Sequence, residues 1–107
     1  DIERLRKAYL AIKARPSNKD AHRDLTYAAY AIKSQAGIFG YQLGTEVASL
    51  LVDYLTTRRT YTSDSILVIG KHIDTINIIF KQEIREGGQG IAVEMIQSLR
   101  HLIKKLG

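Results

Sequence analysis

The stretch Asp64-Ser65-Ile66-Leu67-Val68-Ile69-Gly70-Lys71-His72-Ile73-Asp74-Thr75-Ile76-Asn77-Ile78-Ile79-Phe80-Lys81-Gln82 decides the fold class. By propensity it reads as strand, because Ile66, Val68, Ile69, Ile73, Thr75, Ile76, Ile78 and Ile79 are β-branched and such side chains favour pleated backbone. The polar residues decide against it. Positions 64, 65, 71, 74, 77, 81 and 82 show no period of two, whereas Ile66, Ile69, Ile73, Ile76, Phe80 and Ile84 recur at spacings of three and four. A seam of that period is one face of an amphipathic helix. Ser63 reads as its N-cap with Asp64 in the first turn, and Gly87-Gly88-Gln89-Gly90 as its stop.

The same period runs through the rest of the chain. Ile2, Leu5, Ala8, Tyr9 and Ile12 form a first, basic helix over 2–15 that Pro16 ends. After the turn Pro16-Ser17-Asn18-Lys19-Asp20, the stripe Leu25, Ala29, Ile32 and Ala36 marks a second helix that stops at Gly40. A third runs from Leu43 to Arg59, with Leu43, Val47, Leu50, Leu51, Tyr54 and Leu55 inward and Arg58-Arg59 at its negative end. Thr60 to Thr62 link it to the fourth. The last helix carries Ala92, Ile96, Leu99, Ile103 and Leu106, with Lys104 and Lys105 in its final turn. The expectation is an all-α chain: an antiparallel four-helix bundle with an additional N-terminal helix packed on its end or side.

With 107 residues, 45% hydrophobic and 25% charged, the chain has the composition of one globular domain, 1–107. It contains no cysteine, which excludes disulfides, thiolate metal sites and a cysteine nucleophile, and fits a reducing, cytoplasmic setting. Apolar runs such as Ile66 to Ile69 are too short to span a bilayer, and no signal peptide is visible, so no membrane association is expected. Sixteen basic against eleven acidic residues give a net charge of +5, compatible by charge alone with nucleic acid or an acidic protein. Arg4, Arg6, Lys7, Lys13, Arg15, Arg58, Arg59, Lys104 and Lys105 are nevertheless spread among acids, which argues for a solvated helical surface.

The second helix carries a second stripe. With Leu25 at zero on a helical wheel, residues 29, 32 and 36 fall within about 40 degrees of it. Thr26, Tyr30, Lys33, Ser34, Gly37 and Tyr41 fall roughly 80 to 180 degrees away. This outward face combines a phenol and a lysine with very small residues, although glycine inside a helix costs about 1 kcal/mol against alanine. Small residues on an exposed helix let another backbone approach, so the stripe reads as a docking surface.

The run Ala29-Tyr30-Ala31-Ile32-Lys33-Ser34-Gln35-Ala36-Gly37-Ile38-Phe39-Gly40-Tyr41 resembles the signature of histidine-phosphotransfer (HPt) domains, in which His-x-Leu/Ile-Lys-Gly is followed by small residues and an aromatic- or aliphatic-Gly step. Lys33 falls on the family's lysine, Ile32 on its aliphatic position, and Gly37 and Gly40 on its later glycines. The resemblance implies a helical bundle that works in a two-component phosphorelay, needs no cofactor and meets a response-regulator receiver domain or a sensor kinase. The family's phosphoacceptor histidine, however, falls on Tyr30, and its next glycine on Ser34. Imidazole, with a pKa of about 6.5, offers a free lone pair at neutral pH, and phenol, at about 10, does not. The implied protein is a degenerate HPt domain that binds receivers through Thr26, Tyr30, Lys33, Ser34, Gly37 and Tyr41 but carries no phosphate at Tyr30 and is not an enzyme.

Three histidines are candidates for a relocated carrier. His22 lies on the core stripe near the start of the second helix and reads as a partly buried or capping side chain. His72 sits about 80 degrees from the seam of the fourth helix, a boundary position, and is the alternative phosphoacceptor. His101 lies among basic residues on the last helix. Their spacing matches no metal-ligand pattern, and the carboxylates Glu46, Asp53, Glu83, Glu86 and Glu94 form no evident pair, so neither a metal site nor an acid-base pair is expected. No phosphate-binding glycine loop occurs, since Gly87-Gly88-Gln89-Gly90 follows a helix and lacks the following Lys-Ser/Thr. Two readings from other classes stand beside the HPt one: a basic helical nucleic-acid binder, and a homodimerisation bundle with Tyr30 and the small residues in self-contact.

Overall fold

Five helices account for the regular structure in a computed structural model that describes residues 2–85 and 90–107: α1 (Ile2–Ala14), α2 (Lys19–Ile38), α3 (Gln42–Thr56), α4 (Ser63–Lys81) and α5 (Ile91–Leu106). No strand occurs among the described residues. The helical period of the β-branched stretch prevails: Val68, Ile69, Ile73, Ile76 and Ile79 are buried in α4, and Ile66 and Phe80 pack half-buried against the same core. That core also takes Leu5 and Ile12 from α1, Leu25 and Ile32 from α2, and Leu43, Val47, Leu51 and Leu55 from α3, all 1% exposed or less.

The pairing of helices corrects one expectation. α1 packs against both α2 and α4, α2 against α3, and α3 against α4, which closes a circuit of four. The N-terminal helix is therefore a member of the circuit rather than an addition on its end or side. α5 packs against α4 and buries only Ala92 and Leu99 fully; Met95, Ile96, Leu102, Ile103 and Leu106 lie half-covered, and Ile91 is exposed.

Helix boundaries follow from local hydrogen bonding. Asn18 caps α2 by accepting the Ala21 N–H at 3.0 Å. Thr62, not Ser63, caps α4, its hydroxyl accepting the Ser65 N–H at 3.2 Å, and Ser63 is the first helical residue. α3 stops at Thr56, short of the expected Arg59, where Thr56 and Thr57 donate their hydroxyls back to the carbonyls of Val52 and Asp53. Arg58 leaves the helix and stacks on the Tyr54 ring, 3.5 Å from its centroid, while donating to the Gly107 carbonyl. α4 ends at Lys81, before the glycines expected to stop it. Glu83 adopts a left-handed φ of 52°, and the Ile84 N–H returns to the Ile79 carbonyl at 2.9 Å. Of the expected glycine stop, residues 87–89 lie outside the described residues, as does the carboxylate Glu86; Gly90, with φ 56°, opens α5. No described helix is long and apolar enough to cross a membrane.

Candidate functional site

The outward face of α2 is open. Its inward face, Ala21, Leu25, Ala28, Ala29, Ile32 and Ala36, is buried against α1 and α3, so the side chains opposite have no helix over them. Tyr30 is 48% exposed, and Ser34 and Gly37 are exposed beside it. Thr26 and Lys33 are half-buried at the edge; the Thr26 hydroxyl donates to the His22 carbonyl at 3.0 Å. A β-carbon added at Gly37 would meet nothing closer than the Thr45 hydroxyl oxygen, at 3.8 Å, so no contact inside the chain requires glycine there.

Tyr41 does not belong to this stripe as a helical residue. The chain leaves α2 after Ile38. Phe39 is the C-cap, Gly40 takes a left-handed φ of 78°, and the Tyr41 N–H returns to the Ala36 carbonyl at 2.8 Å. Gly40 is needed for this turn, because side chains with a β-carbon adopt that conformation at a cost. Tyr41 becomes the N-cap of α3, and its half-buried ring meets Phe80 edge-on at 5.0 Å. It borders the face of α2 rather than extending it.

Four residues of the same surface were not visible as site candidates in the sequence. Tyr27 is 56% exposed, Ile38 78% and Phe39 65%. Tyr27 and Ile38 lie about 200 and 220 degrees from Leu25 on the wheel, so the large apolar groups opposite the core stripe were the signal. The fourth is Arg85. Its guanidinium donates to the Phe39 carbonyl at 2.5 Å and lies 4.3 Å from the centre of the Tyr41 ring. No local pattern announces a contact across 44 residues.

The histidines fall apart. His22 is half-buried, its ring edge-on against Tyr61 at 4.3 Å. His101 is exposed on α5. His72 is a correction: it is not at a boundary but wholly buried, at 0% exposure. Its Nδ1 lies 2.8 Å from the Val68 carbonyl and its ring stacks on Tyr54 at 6.1 Å. Desolvation by burial pushes its pKa below the ordinary histidine value, against a smaller opposing effect of the Val68 carbonyl. A ring with no exposed surface cannot receive a phosphoryl group from another protein unless the bundle opens, so His72 is withdrawn as the alternative phosphoacceptor. No group of acids and histidines that could hold a metal occurs among the described residues. No family model, curated protein or solved structure matches this chain.

Proposed function

We propose that this chain is an HPt-like signalling domain, an antiparallel four-helix bundle with one further helix, that binds response-regulator receiver domains without carrying phosphate. The observation that supports it is the pairing, on one open helix face, of an exposed phenol at the phosphoacceptor-equivalent position, Tyr30, with Gly37, whose missing side chain nothing inside the chain requires. A receiver would lay its phosphorylation-site face over Tyr30, Ser34 and Gly37, with Thr26 and Tyr41 at the borders. Lys33, which has no ion-pair partner among the described residues, would contribute positive charge towards the receiver's acidic pocket. Binding then occurs without transfer, because a phenol lacks the basic ring nitrogen that forms a labile phosphoramidate. The biological use would be sequestration or tethering of a response regulator, or of the sensor kinase that feeds it.

The test is to titrate the chain with purified receiver domains encoded in the same genome, each with and without phosphorylation. A receiver should bind, Gly37→Asp should weaken it at least tenfold without unfolding the bundle, and incubation with the phosphorylated receiver should leave no acid-labile phosphate on the chain. Binding by no receiver, or affinity indifferent to Gly37→Asp, refutes the docking face. Acid-labile label on the wild-type chain refutes binding without transfer.

A further inference from the structure

We infer that the corner where α2 turns into α3, formed by Ile38, Phe39 and the guanidinium of Arg85, is a second contact point for the partner that docks on α2, and takes an apolar side chain flanked by a carboxylate; this rests on the receiver-binding reading. Ile38 and Phe39 are the most exposed of the large apolar residues, at 78% and 65%, and they are consecutive. A scattered exposed apolar residue needs no explanation, but two consecutive ones at the end of a helix that also exposes Tyr27 and Tyr30 form a distinct apolar corner.

Arg85 gives that patch its polarity. Its Nη1 donates to the Phe39 carbonyl, its Nη2 lies 3.4 Å from the Tyr41 hydroxyl, its guanidinium covers the Tyr41 ring, and its own carbonyl accepts the Gln42 N–H at 3.0 Å. The side chain and the backbone of Arg85 are thus both tied to the turn. A guanidinium has five N–H donors in a fixed fork, so two contacts leave others free. Arg85 has no carboxylate partner among the described residues. A cation held in place beforehand loses little freedom when a carboxylate arrives, which favours specific binding over a mobile surface charge. Together with Lys33 it gives the face two positive charges without a carboxylate partner among the described residues, matched by a partner that is acidic where it meets them.

The experiment measures affinity of a bound receiver domain for Phe39→Ser, Arg85→Gln and, as a control, Leu10→Ser, which removes an apolar side chain 56% exposed on α1. Phe39→Ser and Arg85→Gln should each weaken binding about tenfold with the melting temperature of Phe39→Ser unchanged, Arg85→Gln should also flatten the salt dependence, and Leu10→Ser should bind as wild type. If Gly37→Asp abolishes binding while Phe39→Ser and Arg85→Gln leave it intact, the corner is not a contact point and the docking reading survives. If no receiver binds the wild-type chain, both fall. Should Arg85→Gln weaken binding only in proportion to lost stability, with Phe39→Ser silent, Arg85 is merely a tether of the turn and the inference is overturned.

Discussion

The rings of Tyr54 on α3 and His72 on α4 lie stacked in the interior, their centroids 6.1 Å apart at an interplanar angle of 27°, and neither the Tyr54 hydroxyl nor His72 Nε2 has a hydrogen-bond partner among the described residues. Because Nδ1 faces the Val68 carbonyl, it carries the proton, and Nε2 presents a bare lone pair to the core. Protonation there would bury a charge without a counter-ion.

The consequence is a pH dependence of stability. Burial holds the His72 pKa in the folded chain below its ordinary value, so the unfolded chain binds the proton first as pH falls. Stability is therefore full above about pH 6.5, and declines below it by at most about 1.4 kcal/mol per pH unit until the folded-state pKa is reached. Denaturant titrations at pH 7.5 and 5.0 should show the loss, and His72→Leu should remove most of it. Equal losses in both proteins would place the effect on other groups.

If Tyr30 is the one missing element of a phosphoryl carrier, restoring imidazole should restore transfer. In Tyr30→His combined with Ser34→Gly, the new ring would stand on an exposed face with the approach widened. Attack by its nitrogen on the phosphorus of a receiver aspartyl phosphate forms the N–P bond, breaks the acyl-oxygen bond to phosphorus and releases the carboxylate. Acid-labile, base-stable label should appear on the double variant and not on the wild type. A double variant that binds the receiver and stays unlabelled would mean that the face does not bring position 30 to the phosphate.

The helices were legible because burial on one side leaves a period that single residues cannot disguise: Ile69, Ile73 and Ile76 face the core although each favours a strand. What a helix cannot announce is what lies over its flanks. His72 sits at a wheel angle that predicts a boundary, and neighbours from other helices, the ring of Tyr54 arriving from α3 among them, make it interior. The end of α3 departs from its sequence pattern for a related reason. Arg58 suits a negative helix end, but the Tyr54 ring and the Gly107 carbonyl hold its guanidinium instead. Arg85 was invisible because its value lies in a contact with Phe39 and Tyr41 that the fold creates. Tyr30, Ser34 and Gly37 were legible as a surface, since small residues and a phenol opposite a core stripe have no packing task.

The division between core and face can be tested by paired truncations. Leu51, at 0% exposure, fills the centre of the circuit, and Leu51→Ala should cost about 2–5 kcal/mol. Leu67, at 50% exposure on α4, should tolerate serine within about 0.5 kcal/mol. Chemical denaturation at neutral pH measures both. A costly Leu67→Ser would mean that another surface covers that side of α4.

Gly37, exposed on α2, and Gly44, buried on α3, stand under opposite constraints, and they separate packing from docking. A β-carbon at Gly44 would stand 3.3 Å from the β-carbons of Ala36 and Tyr41 and 3.6 Å from the Phe80 ring, so glycine there lets α3 approach the end of α2. Gly44→Val should therefore cost about 1–3 kcal/mol through overpacking. Gly37 has room, and Gly37→Ala should raise stability by about 0.5–1 kcal/mol through helix propensity alone. A chain that keeps glycine at 37 forgoes that stability, which is what the proposed docking face would ask of it. Gly37→Ala should accordingly raise the melting temperature and weaken receiver binding in the same protein. If it stabilises the bundle and binds as well as wild type, the small residues of α2 do not serve an approaching partner, and the docking face loses its main support.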